Sequence, residues 1–576
     1  MKNRNRIVFH LLPILFVLAL GTASLSARDS PYTRKGTGPK YWIAYEYCWT
    51  TNLPISESRW QANIDWINES YKSFGYDMIC TDGWIEAAQT VNSDGYITKY
   101  NDSWTHGFAY WADYLQKKDL TLGVYYNPMW LTKAAFEQNT TVQGTSYKAR
   151  DIVGPISFNE PLYWVDTDKP GAKEWIQGYV KYFIQQGAVY LRIDFLENYE
   201  RNYGVVKYRQ ALEWIKEAAG DKIFLSLVMP NCYNHGETEL VYGDMIRIDD
   251  DCFNGGWDFT SNRRRGQWRP IWPQYGNAYD GFLGFSDIGG RGQMILDGDF
   301  MRLNTSTTDA GRKFLFSLMV MGGSPLAIAD QYDTIGQNGW IYQNPELLEL
   351  NTLGFVGKPL SANPQDIENS SRWVGQLPNG DWIVGLFNRE EMNQVRKIDF
   401  AKELGMSAGY IQHVRDLWAH TDLVSLNGGY ATELSPRECR IIKIKNPELK
   451  YEAEVASMMG GAKKSTATFN YSGPGYVEFR DNQSSAVLLA VHVSQAGTYK
   501  LQLCYANATG KTSQVNVIVN DANSSNPLSM PSLNDWSTWQ TVHCTVELEK
   551  GVNYLSVKRD PGNTTYFNLD YLKVIL

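Results

Sequence analysis

The feature that constrains this chain most is an alternation, carried from residue 41 to residue 329, of short apolar runs with segments of helical spacing. The runs 41–45, 77–81, 122–126, 189–195, 223–228, 245–248, 282–285 and 325–329 read as strands. Between them lie segments such as 56–73, where Trp60, Ile64, Ile67 and Tyr71 recur at helical intervals, and 168–186, which opens Asp168-Lys169-Pro170-Gly171 and stops at Gly187. A strand followed by a helix and then another strand dictates parallel pairing, because a parallel neighbour can be reached only through a crossover. Eight such units suit a closed (β/α)8 TIM barrel of the α/β class better than an open doubly wound sheet, and the barrel is expected over residues 37–360.

Beyond residue 360 the helical spacing stops. Short strands with hairpin signals, such as Leu377-Pro378-Asn379-Gly380-Asp381-Trp382, where Asn-Gly suits a type I′ turn, predict an antiparallel β-domain over 361–446. Alternating strands at 499–505 and 542–548, separated by Gly, Asn and Ser, predict a C-terminal β-sandwich over 448–576. A chain of 576 residues with 43% hydrophobic side chains is long enough for several separate cores.

The first residues, Met-Lys-Asn-Arg-Asn-Arg, precede an apolar run from Ile7 to Leu20 and small residues from Gly21 to Ala27, the plan of a cleaved signal peptide over 1–27. The protein is therefore expected to be exported, periplasmic or extracellular. A net charge of −8 without a Lys/Arg-rich block gives no footprint for nucleic acid or an anionic membrane. A neutral partner fits better, and the aromatic content of 14%, with 20 Trp, supplies flat rings of the kind that pack against sugar faces, although core filling accounts for most of them. Seven Cys without a CxxC pair indicate neither a zinc site nor a dense disulfide framework, and leave Cys504–Cys544 as the first candidate bridge.

Barrel catalysis belongs at the C-terminal ends of strands. There Asp82 closes the second run, Asp194 the fourth, and Asp249-Asp250-Asp251 follow the sixth. Arg192 alternates to the same face as Asp194, so a structural Arg–Asp pair is the alternative to a catalytic carboxylate. Glycoside hydrolysis needs two carboxyls flanking one bond, and Asp194 can meet a member of the 249–251 run across the barrel mouth. Spacing alone leaves open which of the three it is, and the run reads equally as a solvated loop or a cation site.

The motifs narrow this. Phe74-Gly75-Tyr76-Asp77-Met78-Ile79-Cys80-Thr81-Asp82-Gly83-Trp84, Leu120-Thr121-Leu122-Gly123-Val124-Tyr125, Leu191-Arg192-Ile193-Asp194, Arg247-Ile248-Asp249-Asp250-Asp251, Leu296-Asp297-Gly298-Asp299-Phe300-Met301 and Ser324-Pro325-Leu326-Ala327 follow one another in this order. Together with Arg415-Asp416-Leu417-Trp418 they resemble family 27 glycoside hydrolases, the melibiase clan of α-galactosidases. The resemblance implies a retaining double displacement with Asp194 as nucleophile, held anionic by Arg192, and Asp251 as acid/base. It implies no catalytic cofactor, and substrate contacts from Tyr45, Thr81, Asp82, Trp84, Arg192 and Arg247. Two departures bear on the sugar: Thr81 stands where the family has the first of two Asp residues that grip galactose hydroxyls, and Arg192 replaces a Lys. The first reading is an α-galactosidase acting on α-linked oligo- or polysaccharides. The same machinery on another glycan, as an isomaltose-releasing dextran hydrolase or a β-L-arabinopyranosidase, is the alternative that Thr81 favours, and a glycan-binding protein without activity is a third.

The C-terminal unit opens Tyr451-Glu452-Ala453-Glu454 and closes Phe567-Asn568-Leu569-Asp570-Tyr571, and it resembles family 35 carbohydrate-binding modules. That resemblance implies a structural Ca2+ held by Glu452, Glu454 and Asp570, whose hard oxygens suit the ion, with Trp539 and Asn563 near the glycan face.

Overall fold

The computed structural model describes residues 36–83, 88–159, 162–407, 413–423, 428–480, 485–521, 527–559, 563 and 565–575. The expected signal peptide lies outside the described residues, as does Trp84. No helix among the described residues is long and apolar enough to cross a membrane.

Eight parallel strands form one curled sheet: β1 (Lys40–Ile43), β2 (Met78–Cys80), β3 (Thr121–Tyr125), β4 (Ala188–Ile193), β5 (Phe224–Leu227), β6 (Met245–Arg247), β7 (Ile295–Asp297) and β8 (Leu326–Ile328). Neighbours run β7-β6-β5-β4-β3-β2-β1-β8, and the two ends meet through a bridge between Met301 and Ile328, where Met301 N–H donates to Ala327 O at 2.8 Å. The strands are buried on both faces, which is why they read as apolar runs rather than alternations. Close packing explains Gly123 in β3: a Cβ there would meet Cys80 Sγ at 3.0 Å and the Tyr190 ring at 3.1 Å.

The outer helices follow the sequence signals. Glu57–Ser70 starts at Ser56, whose side chain accepts from Arg59 N–H, and buries Trp60, Asn63, Ile64 and Ile67. Ala172–Gln185 begins after Gly171 at φ 94° and is followed by Gly187 at φ 89°, the left-handed conformations that glycine adopts without a Cβ penalty. One expected strand is corrected. Residues 282–284 close the helix Ala278–Gly284, capped by Asn277 at its start and by Phe285 at its end, and the seventh strand is β7 further along. A four-residue apolar run carries no period, so the capping Asn277 decided the element.

After the barrel, a six-stranded antiparallel sheet includes Arg372–Gln376, Trp382–Phe387 and Cys439–Ile444, beside the pair Gln394–Asp399 and Gly429–Leu434. Its hairpin differs from the expected type I′. Only Gly380 has positive φ (87°), and Gly380 N–H donates to Leu377 O, so Pro378 occupies the second place of a turn ending in glycine. The C-terminal unit is a sandwich of two antiparallel sheets, and in one of them the paired strands Gly497–Ala506 and Gln540–Leu548 bury Leu501, Leu503, Val546 and Leu548. The expected disulfide is absent and all seven cysteines are free: Leu501 pairs with Cys544 and Cys504 with Thr541, which sets the two thiols three places apart on neighbouring strands.

Candidate active site

β4 delivers Asp194 to the barrel mouth, and the chain turns at once through Phe195, whose φ of 59° is a costly state for a bulky residue, into the helix Leu196–Tyr203. Three hydrogen bonds fix the turn. Tyr125 Oη donates to Asp194 Oδ2 at 2.9 Å, Phe195 N–H donates to Oδ1 at 2.6 Å, and Asn127 Nδ2 donates to the Asp194 carbonyl at 2.7 Å. Burial holds the Asp194 pKa above the ordinary 3.8, and the Asp251 carboxylate raises it further. Arg192 and the two hydrogen bonds to the carboxylate oppose this without reversing it. Arg192 thus favours the Asp194 carboxylate, the direction expected, without cancelling the effect of burial. Its guanidinium turns toward Asp297 (3.4 Å) and Asp299 (3.5 Å) at the end of β7, and helps Asp194 only through space.

The run after β6, ambiguous in sequence, separates into three environments. Asp249 is fully buried beneath the mouth, 3.5 Å from Arg247 Nε, with neither oxygen hydrogen-bonded among the described residues, and burial pushes its pKa far up. Asp250 turns the other way, to Arg263 at 3.0 Å and Arg264 at 3.7 Å. Asp251 alone is partly open, with 32% of its side chain exposed, and its charge is felt by Asp194, Asp82 and Tyr45. Arg247 Nη2 ties Asp251 Oδ1 (2.8 Å) to Asp299 Oδ2 (2.6 Å), so the fully buried Arg247 orients the carboxyl facing Asp194.

Two further walls complete the pocket. Tyr45 is 8% exposed and its hydroxyl has no partner among the described residues, while its ring meets Phe300 at 4.2 Å between centroids. The guanidiniums of Arg192 and Arg247 lie 5.5 and 5.8 Å from the Phe300 centroid. On the other side Thr81 is buried and its hydroxyl accepts the Tyr125 N–H at 2.9 Å. Asp82 accepts from Gly83 N–H with Oδ1, whereas its buried Oδ2 has no partner among the described residues. Burial raises Asp82 to about 7, with Arg192 lowering it and Asp194 and Asp251 raising it. The pocket thus holds one unpartnered carboxylate oxygen beside Thr81 where the resemblance implied a pair of acids. Tyr125, Asp297, Asp299 and Phe300 had been given no role. All four lay within motifs already noted, and their part depends on contacts between different strands.

In the C-terminal module Glu452, Glu454 and Asp570 are buried together around Gly473, whose added Cβ would stand 3.0 Å from Glu452 Cδ and 3.1 Å from Glu454 Oε1. Burial raises all three carboxyls; Glu452 and Asp570 raise Glu454 further, and Glu452 helps bring Asp570 to about 8. Lys450 Nζ pairs with Glu452 Oε1 at 2.8 Å, and Ser472 N–H donates to Asp570, but Glu452 Oε2 and both Glu454 oxygens have no partner among the described residues. No group of three or more His, Cys, Asp or Glu among the described residues is gathered closely enough to hold a metal as it stands. The unpartnered oxygens of these mutually repelling carboxyls are nevertheless of the hard donor type that suits a cation such as Ca2+. Trp539 directs Nε1 to Phe469 O at 2.8 Å and packs on Tyr476 at 5.3 Å, and Asn563 Nδ2 donates to Gln514 O at 3.0 Å.

Residues 368–444 match the α-galactosidase C-terminal β-sandwich domain, and residues 449–576 match the family 35 carbohydrate-binding module. The isomalto-dextranase of Arthrobacter globiformis is 42% identical over 602 residues, covering 97% of this chain and 93% of that protein. The solved structure of the Arthrobacter globiformis T6 isomalto-dextranase complexed with panose is 41% identical and superposes with a TM-score of 0.91, over 95% of this chain and 98% of that one. A family 27 β-L-arabinopyranosidase from Geobacillus stearothermophilus shares the fold at 20% identity and a TM-score of 0.59, over 73% of this chain and 99% of its own. By its identity along nearly the whole length, this chain belongs to the isomalto-dextranase family of glycoside hydrolases, built on an α-galactosidase-like barrel with a family 35 carbohydrate-binding module.

Proposed function

We propose that this protein is a retaining dextran hydrolase that releases isomaltose, and not the α-galactosidase of the first reading. The observation that carries this is the state of Thr81. Its hydroxyl accepts the Tyr125 backbone N–H, so the place of one galactose-gripping acid is neutral and already occupied by a backbone bond, leaving Asp82 Oδ2 as the acidic acceptor. The likeness to isomalto-dextranase along nearly the whole chain supports the same substrate.

In the proposed mechanism the Asp194 carboxylate attacks the anomeric carbon while Asp251 gives its proton to the departing glycosidic oxygen. A β-linked glycosyl ester forms on Asp194. Asp251, now a carboxylate, takes a proton from water as that water attacks the ester, and the sugar leaves with its original α configuration. Tyr125 and Phe195 N–H hold the nucleophile in line, and Arg247 holds the acid/base. No step requires a metal or organic cofactor. Glu452, Glu454 and Asp570 would hold a Ca2+, whose charge would offset their mutual repulsion in the sandwich, and the module keeps the enzyme on its polysaccharide. The N-terminal segment directs export.

The test is a substrate panel of dextran, aryl α-galactoside and aryl β-L-arabinopyranoside with the purified protein and its Asp194→Asn variant. Isomaltose from dextran, absent with the variant, is the expected result. Turnover of the galactoside with dextran left intact would overturn the proposal.

A further inference from the structure

The short helix Tyr45–Thr51 carries two aromatic rings four residues apart, so both lie on one face. Tyr45 is buried in the wall of the reacting sugar's pocket. Trp49 lies one turn further out at 37% exposure, with its ring plane 5° from that of Tyr45 and the centroids 6.1 Å apart. Parallel rings at that separation are offset like two steps leading from the pocket to solvent. Single exposed aromatic residues are common on protein surfaces, but this one is pinned on two sides. Trp49 packs on Phe253 at 5.0 Å, and its Nε1 donates to Asn254 Oδ1 at 3.3 Å. Phe253 sits at φ 40° beneath the Arg263 guanidinium, 5.0 Å from its centroid. The helix is held in turn by Glu46, whose two oxygens each lie 3.0 Å from Asn304 Nδ2. A preformed ring loses little conformational freedom on binding, which is the property of a recognition platform.

The chain path tells which end of the substrate this platform meets. Phe253 and Asn254 follow Asp251 by two and three residues, so Trp49 is anchored to the loop bearing the proton donor. The proton donor stands beside the glycosidic oxygen, and the sugar beyond that oxygen is the leaving group. We infer that Trp49 is the platform for the leaving-group glucosyl unit, a specificity determinant on the aglycone side of the cleaved α-linkage. This rests on the dextran-hydrolase reading.

The experiment measures kcat/KM on dextran and on α-isomaltosyl fluoride, which carries the donor sugar but no sugar on the leaving side, for the full-length protein and its W49A and W49F variants. The expected result is that W49A lowers the dextran-to-fluoride ratio by about tenfold or more, the loss typical of truncating an aromatic anchor, and that W49F restores most of it. Equal losses on both substrates place Trp49 on the donor side and overturn the inference, as does a ratio that does not move. A wild-type protein inactive on dextran and on the fluoride refutes the functional reading itself, a result that the ratio among active proteins cannot mimic. Unfolding midpoints of the variants separate lost binding from lost folding.

Discussion

Removing one hydroxyl next to Asp194, the proposed nucleophile, tests how the site sets its charge. Tyr125→Phe keeps the buried ring and deletes the donor 2.9 Å from Asp194 Oδ2, while Phe195 N–H still holds Oδ1 and Asn127 still holds the carbonyl. A hydrogen bond to a charged group contributes about 1.5–3 kcal/mol, and it favours the carboxylate over the acid. At about 1.36 kcal/mol for each unit of pKa, its loss moves Asp194 upward by about one to two units from a position that burial has already raised. Only the carboxylate attacks the anomeric carbon, so the acidic limb of kcat/KM moves to higher pH by the same amount. The alkaline limb stays where it is. Asp82, held near 7 in the same pocket, interacts with Asp194, so the limb belongs to both carboxyls and the shift is read between whole profiles. The assay is kcat/KM for dextran across pH, wild type against variant. An acidic limb that stays put or moves to lower pH would show that the Tyr125 hydroxyl does not stabilise the Asp194 carboxylate.

Three other outcomes follow from buried charge. Asp82 is raised from 3.8 to about 7, so between those values the folded protein binds more protons than the unfolded chain; the associated stability is full below 3.8 and is lost as pH rises through 7. Asp82→Asn removes that dependence, and thermal unfolding across pH is expected to show the variant gaining on wild type by up to about 4 kcal/mol as pH rises through this window, with dextran hydrolysis lost. Arg247→Met leaves Asp249, Asp251 and Asp299 around an uncharged side chain, a loss of about 3–5 kcal/mol expected as a lower denaturation midpoint together with lost activity. Chelator treatment is expected to lower the unfolding midpoint of the C-terminal module and added Ca2+ to restore it, whereas Glu454→Gln is expected to blunt the response to both.

The barrel could be read from sequence because parallel strands buried on both faces appear as apolar runs, and because helices such as Glu57–Ser70 bring a capping serine and a helical stripe. The element that failed, residues 282–285, was a run too short to have a period. The expected pairing of Cys504 with Cys544 failed because the antiparallel register, which spacing does not reveal, puts other residues opposite each thiol. In the site, strand-end carboxylates marked Asp82, Asp194 and the 249–251 run. What distinguishes Asp251 within that run is three-dimensional: Asp249 points beneath the mouth, Asp250 pairs with Arg263 and Arg264, and only Asp251 shares space with Asp194. Tyr125 and Asp299 escaped notice because each acts on a residue from another strand, Asp194 and Arg247. Thr81 was visible as a departure, but that its hydroxyl is taken by a backbone N–H is a fact of the fold.

The proposed mechanism turns on Asp194 taking up an isomaltosyl group from dextran. Acid-quenching the enzyme during turnover of dextran, digesting it and measuring peptide masses tests this directly. The expected result is a two-hexose adduct on the peptide containing Asp194, absent from the Asp194→Asn variant. An adduct on a peptide carrying another carboxyl, or an adduct of a single hexose, would contradict it.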